Sequence, residues 1–305
     1  MSSRRYRSVG LFVALSVLFG CTFVAINAGL TYLPPLLFLA FRFDIAALLL
    51  LPYVYLSAGE WLPRTRHDIS GILDGTVTIG LTNALLFVGQ QYVVSAVAAI
   101  LFSLIPVLPP GFAFFLLSDE YVSFRDVTGL LLAFVGVGLV VRPDPSLFTG
   151  SLFGRMVLLT GATCGALGTV LIRRADATVP SVTLVAWALP PSALFLHVSS
   201  MVAGESFAAA EWTAVAVAAL GYVSVLAGII TYIMYFELLD TIGAVKTNSF
   251  NFIAPMVTAI VGWLLLGETL SVLSLAGFGV ILAGFLVLEY PTLAEDFGHL
   301  PSWRT

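Results

Sequence analysis

Arg42 poses the sharpest chemical question in this chain. It stands in an apolar run eight residues after Pro34, so at ~1.5 Å per residue it lies about 12 Å into a helix, where an unpaired charge costs at least several kcal/mol. It needs a partner or water. Asp44, two positions on, points about 200° away around the same helix and is no simple intrahelical partner. Arg42 therefore reads either as an anion anchor or half of a gate, or as a fixed ion pair or cap on a broken helix end. Asp44 is a candidate proton-coupling carboxylate. Lys246 lies a few residues into another apolar run, either as a coupling group or snorkelling to the interface toward Asp240 or Glu237.

Uncharged polar residues recur in the apolar runs at helical spacing. Ser16, Gly20, Phe23 and Asn27 follow a 4-3-4 pattern, Thr76, Asn83 and Gln90 fall at successive sevens, and Ser224, Gly228, Thr231 and Tyr235 repeat the 4-3-4 pattern beside Tyr232. Thr247, Asn251, Pro255 and Thr258 share a further face, and Asn248 joins them as a candidate. Such stripes form either where helices pack and hydrogen-bond across an interface or where they turn toward a shared cavity. Four of them in two corresponding halves favour the cavity. Its candidate binding set is Asn27, Arg42, Asn83, Gln90, Tyr232, Tyr235, Asn248 and Asn251. That mixture of amide, hydroxyl, aromatic and one cation suits a polar, hydrogen-bonding organic solute. His197 is isolated and reads as a packing histidine, while the Gly71/Gly75 and Gly161/Gly165 pairs read as close helix contacts.

Enzyme chemistry finds little support in the residues. The chain has three histidines and two cysteines, Cys21 and Cys164, both inside apolar runs. There is no metal-spaced cluster, nucleophile elbow or phosphate loop, so no catalytic residue, metal or cofactor is expected. The few basic residues form a fringe and exclude nucleic acid as a partner.

These side chains must be positioned by membrane helices. The 305 residues are 59% apolar and 10% charged, against roughly a quarter charged in a soluble domain, and mean hydropathy is +1.04 over the whole length. Apolar segments run over 9–30, 35–57, 70–92, 95–117 and 125–142, then 152–172, 181–203, 212–236, 243–266 and 271–289. Each is predicted helical, because lipid offers backbone groups no other partner. The first follows Arg4, Arg5 and Arg7, but it is too long for a signal-peptide core.

With the N-terminus inside, Arg4, Arg5, Arg7, Arg64, Arg66, Arg125, Arg173, Arg174 and Arg304 collect on the cytoplasmic side, and only Arg142 and Arg155 lie outside. Nine against two predicts a cytoplasmic membrane protein with both termini inside.

Sliding the chain by 148 residues pairs Ala96-Val97 with Ala244-Val245, Glu120 with Glu268, Gly129 with Gly277, Gly136 with Gly284 and Pro143 with Pro291. Pro34 pairs with Pro180 at 146, and Pro106 with Pro255 at 149. The halves, 1–146 and 147–305, read as copies of one five-helix unit. Five is odd, so the second copy enters from the opposite side, an architecture that suits alternating access. Prolines within the spans, Pro106, Pro109, Pro110, Pro190, Pro191 and Pro255, are candidate hinges.

Phe19-Gly20, Phe41-Arg42-Phe43 and the stretch from Ala254-Pro255 through Gly267-Glu268-Thr269-Leu270-Ser271 give the chain a resemblance to the drug/metabolite transporter superfamily, in particular its ten-helix members with two EamA domains. Leu116-Leu117-Ser118-Asp119-Glu120 is a looser first-half counterpart, and no arginine repeats Arg42 in the second half. The resemblance implies an all-α polytopic membrane protein and a carrier of a small metabolite, commonly an exporter. It places Glu120 and Glu268 where capping or locking of adjacent helices is expected. It also makes the fifth and tenth helices peripheral, so the protein is expected among membrane lipids as a monomer or homodimer. The alternatives are a passive channel and a membrane enzyme or scaffold.

Overall fold

The computed structural model describes residues 2–57, 61–116, 124–141 and 150–296. Among them only helices and turns occur. The expected segments appear as α1 (Ser2–Leu30), α2 (Pro35–Ser57), α3 (Arg66–Gln90), α4 (Ser95–Phe102) with α5 (Pro109–Leu116), and α6 (Phe124–Val141). The second half contributes α7 (Gly150–Ala175), α8 (Ser181–Val202), α9 (Ala214–Gly221) running through a π-helical stretch (Tyr222–Ile230) into α10 (Thr231–Ile242), α11 (Ala244–Asn248) with α12 (Phe250–Leu266), and α13 (Val272–Asp296). Seven of these spans are long and apolar enough to cross a bilayer unaided, and Val127–Val141 and Val272–Leu288 are shorter apolar helices. The tenth is the divided pair α4 and α5. The protein is an all-α, multi-pass membrane protein of ten spans in two inverted five-helix repeats.

Local chemistry explains the boundaries. Thr65 and Asp68 form a capping box at the start of α3, the hydroxyl accepting from Asp68 N at 3.0 Å and the carboxylate from Thr65 N at 2.9 Å. The break after α4 falls where Pro106 has no N–H to give and its ring would collide with the carbonyl of Phe102. The chain instead makes short turns, Leu104 N to Leu101 O and Ile105 N to Phe102 O, before Pro109 opens α5. A continuous fourth helix was expected over 95–117, and the structure divides it. Pro255, the second-half counterpart, lies inside an unbroken α12.

The two halves interlock about a pseudo-two-fold axis. α2 packs on α8, and α6 packs on α13. α3 lies along α7, and its counterpart, the α9–α10 span, lies along α1. At the α6–α13 crossing, a Cβ on Gly129 would stand 2.8 Å from Gly284 O, and one on Gly136 would stand 2.7 Å from Gly277 O. Exchanging Gly129 with Gly277 and Gly136 with Gly284 maps one contact onto the other. Gly136 and Gly284 therefore close this crossing within the chain, whereas Gly138 and Gly279 have open space around them. Gly71 and Gly75 meet Leu184 of α8, and Gly161 and Gly165 meet Thr82 of α3.

Three carboxylates stitch loops to helix N-termini, where unpaired N–H groups and the helix dipole favour an anion. Asp68 is 1% exposed. It accepts from Thr178 N at 2.8 Å, Thr178 Oγ1 at 2.9 Å and Val179 N at 3.2 Å, just ahead of α8. Glu205 accepts from Leu36 N at 3.1 Å and Leu37 N at 2.9 Å at the start of α2. The third, Glu268, belongs to the candidate site.

Candidate functional site

Where α1, α2, α3, α4, α7, α10 and α12 converge, a cavity of about 300 Å³ lies between the halves. Its polar lining comes from Arg42, Asn83, Tyr232, Tyr235, Asn248 and Asn251, with Thr22, Thr82, Thr169 and Thr231. Phe19, Phe23, Phe102 and Phe250 supply aromatic walls. Arg42 enters from α2 about 10 Å along the helix from Pro35. Its Nη1 donates to Asn83 Oδ1 at 3.3 Å, and its guanidinium carbon lies 5.8 Å and 5.7 Å from the ring centres of Phe43 and Phe87. Asn83 Nδ2 donates to Ile79 O at 2.9 Å, which holds its carbonyl oxygen toward Arg42. Tyr232 is near enough to Arg42 for the two to interact electrostatically. Across the cavity, Tyr235 donates to Asn248 Oδ1 at 3.2 Å and Asn251 Nδ2 to Asn248 O at 3.0 Å.

Six of the eight residues expected to bind solute thus line one cavity, and two lie elsewhere. Asn27 reaches an external groove lined also by Thr31, Gln91, Tyr92 and Glu268, and its Nδ2 donates to Glu268 Oε1 at 2.5 Å. Gln90 is wholly buried and donates through Nε2 to Phe23 O. Both residues lie beyond the cavity, toward the face that carries the α1–α2 and α3–α4 turns, here called the far face. The near face holds the N-terminal end of α1.

Two layers of contacts lie between the cavity and the far face. The inner layer joins Gln90 to Phe23, with Phe23 edge-on to Phe102 at 6.3 Å and Phe38 edge-on to Phe87 at 5.1 Å. The outer layer centres on Glu268. Gly267 takes φ +65°, a left-handed turn that glycine adopts freely, and Glu268 N donates back to Gly262 O at 3.1 Å. That turn aims the carboxylate at Ser95, whose N lies 3.1 Å from Oε1 and 3.0 Å from Oε2 and whose Oγ donates to Oε1 at 2.8 Å. Val94, at the N-cap of α4, supplies no side-chain cap, so Glu268 caps that helix from another part of the chain. Toward the near end of α7, Thr169 is the one exposed residue of the lining.

The candidates for coupling or gating separate. Asp44 turns away from Arg42 and accepts from, or shares a proton with, His197 Nε2 at 2.7 Å. His197 is therefore not an isolated packing residue. The two groups are 153 positions apart, and the periodicity of either helix alone does not reveal the pairing. Lys246 lies in α11 outside the cavity lining, and Glu237 pairs with Arg7 at 2.7 Å. Glu120 lies outside the described residues. The expected stripe of Ser224, Gly228, Thr231 and Tyr235 also changes. The π-helical stretch shifts the register, so Ala227, Thr231, Tyr232 and Tyr235 face the cavity while Ser224 donates to Leu220 O at 2.6 Å. Nothing in the residue pattern distinguished a π-turn from an α-turn there. Among the described residues no group of three or more His, Cys, Asp or Glu could hold a metal ion.

Ten spans, a pseudo-two-fold axis and a cavity between the halves, flanked by divided and π-helical segments, are features of a membrane transporter fold. The model of the EamA-like transporter family matches residues 7–142 and 152–290, and the chain belongs to that family, a membrane transporter of this type. The uncharacterized transporter YvbV of Bacillus subtilis is 29% identical over 296 residues, 95% of this chain and 93% of that one. The uncharacterized inner membrane transporter YedA of Escherichia coli is 28% identical over 275 residues, 89% and 87% of the two chains. A solved crystal structure superposes with a TM-score of 0.64 at 18% identity, covering 96% of this chain and 99% of that one, and supports the fold.

Proposed function

We propose that the protein is a secondary carrier that moves a small polar organic metabolite across the cytoplasmic membrane by alternating access, in the export direction. The observation that carries this reading is the cavity between the halves. Its volume of about 300 Å³ is at the lower end of small-molecule sites, about 300–1,000 Å³, which suits a single metabolite. Arg42, Asn83, Tyr232, Tyr235, Asn248 and Asn251 would hold the solute. Glu268 with Asn27 and Ser95, and Gln90 with Phe23, would close the far side. In this reading both termini would be cytoplasmic and the conformation described would be the inward-facing one that loads an exporter. Asp44 with His197 is the proposed proton-coupling pair, and the halves 1–146 and 147–305 would rock about the α6–α13 crossing.

The experiment is an untargeted comparison of solutes inside and outside cells that overproduce the wild type or the Asn83→Ala/Asn251→Ala variant at matched membrane levels. A solute depleted inside and enriched outside with the wild type alone supports export through this cavity. Identical profiles in the two strains would overturn it.

A further inference from the structure

Resting on that reading of the cavity, we propose that the solute is an organic monocarboxylate carrying no cationic group, with its carboxylate seated on Arg42. The charge content of the lining carries the argument. Arg42 is the only charged side chain among the lining residues, and among the described residues no aspartate or glutamate lines the cavity with it. The nearest carboxylate in sequence, Asp44, is taken by His197. Of the five N–H donors of a guanidinium, Arg42 commits one, at 3.3 Å, to Asn83. Phe43 and Phe87 flank it, which favours the cation through the ring faces and leaves N–H groups at the edge. A buried cation left in this state is costly, and a planar carboxylate matches its fork of donors with two parallel hydrogen bonds.

The remainder of the lining fits the rest of such a molecule. Phe19, Phe23, Phe102 and Phe250 surround an apolar or aromatic body, while Tyr235, Asn248 and Asn251 offer uncharged donors and acceptors at its other end. A zwitterion would bring an ammonium into a cavity that has no anion to receive it. A phosphate dianion would bring two charges against one. Each leaves an uncompensated charge away from water, which is strongly unfavourable.

The test uses the purified full-length chain and five probes with one phenyl body: phenylacetate, phenylacetamide, phenethylamine, phenylalanine and phenyl phosphate. Equilibrium dialysis with radiolabelled phenylacetate, and competition by the other four, gives the order of affinity. Phenylacetate is expected to bind at least tenfold more tightly than each of the others. In Arg42→Gln that preference disappears, and in Arg42→Lys it survives in weakened form. The wild-type series decides the matter even where a variant folds poorly. Binding of the amide or the amine as tightly as phenylacetate overturns the proposal, as does no binding of phenylacetate at millimolar concentration. Leu86→Trp, which places bulk inside the cavity from a buried lining position, separates this failure from failure of the cavity itself. If the probes bind without charge preference and Leu86→Trp abolishes binding, the cavity stands and the monocarboxylate does not. If Leu86→Trp binds as the wild type does, the cavity is not the site.

Discussion

Replacing Glu268 by glutamine isolates the outer closure, because it keeps the shape and removes the charge. Three donors converge on the carboxylate: Asn27 Nδ2 at 2.5 Å, Ser95 Oγ at 2.8 Å and Ser95 N at 3.0–3.1 Å. A hydrogen bond to a charged group contributes about 1.5–3 kcal/mol and one between neutral groups about 0.5–1.5, so each donor loses about 1 kcal/mol and the three together about 3. Glutamine also turns one acceptor into an NH₂ group, which can only donate and so cannot accept from Ser95 N. The site borders an open groove, and solvent screening reduces the total to about 1–2 kcal/mol. That shifts the equilibrium between closed and open far faces about 5- to 30-fold, at tenfold per 1.4 kcal/mol. Spin labels at Gln91 and Leu265, both exposed on that face, with Cys21 and Cys164 replaced, report the shift as a distance distribution. The wild type is expected to give one short population, and Glu268→Gln a second, longer one. An unchanged distribution would refute the assignment of Glu268 as the closure and reduce it to a local helix cap.

Three further outcomes follow from the contacts. Asn83→Ala combined with Asn251→Ala is expected to abolish transport while membrane levels stay normal, checked by efflux assay and immunoblot. Gly136→Val is expected to lower stability by about 1–3 kcal/mol, because its Cβ would meet Gly277 O at 2.7 Å, whereas Gly138→Val, with nothing within 4 Å, is expected to be silent. Paired thermal melts in the same detergent check this. His197→Ala leaves Asp44 without its partner at 2.7 Å. It is expected to lower the melting temperature, and the Asp44→Asn/His197→Ala double variant is expected to recover much of the loss while changing the pH dependence of transport.

Much of the fold was legible because lipid leaves a chain few choices. Apolar length gave the ten spans, and the repeat of Gly129 and Gly136 at 277 and 284 gave the inverted halves. That six of the candidates would line one cavity was legible because polar residues at helical spacing must find one another or a cavity. Asn27 and Gln90 share the faces of cavity residues, but they sit a turn or two beyond it, where partners from other spans capture them. Helical spacing gives the face of a residue and not its depth. The Asp44–His197 pair, the cap that Glu268 places on α4 and the π-helical register of residues 222–230 depend on contacts between distant segments, which periodicity along one helix does not carry.

Alternating access requires that one cavity be reached in turn from the two sides. It is tested most directly by a cysteine at Leu86, a buried residue of the lining, in a background without Cys21 and Cys164. A membrane-impermeant thiol reagent is added from each side in turn, with and without Glu268→Gln. Labelling is expected to be faster from the near side in the wild type, with the preference moved toward the far side by Glu268→Gln. Equal rates from both sides in both proteins, or labelling from the near side alone in both, would contradict it.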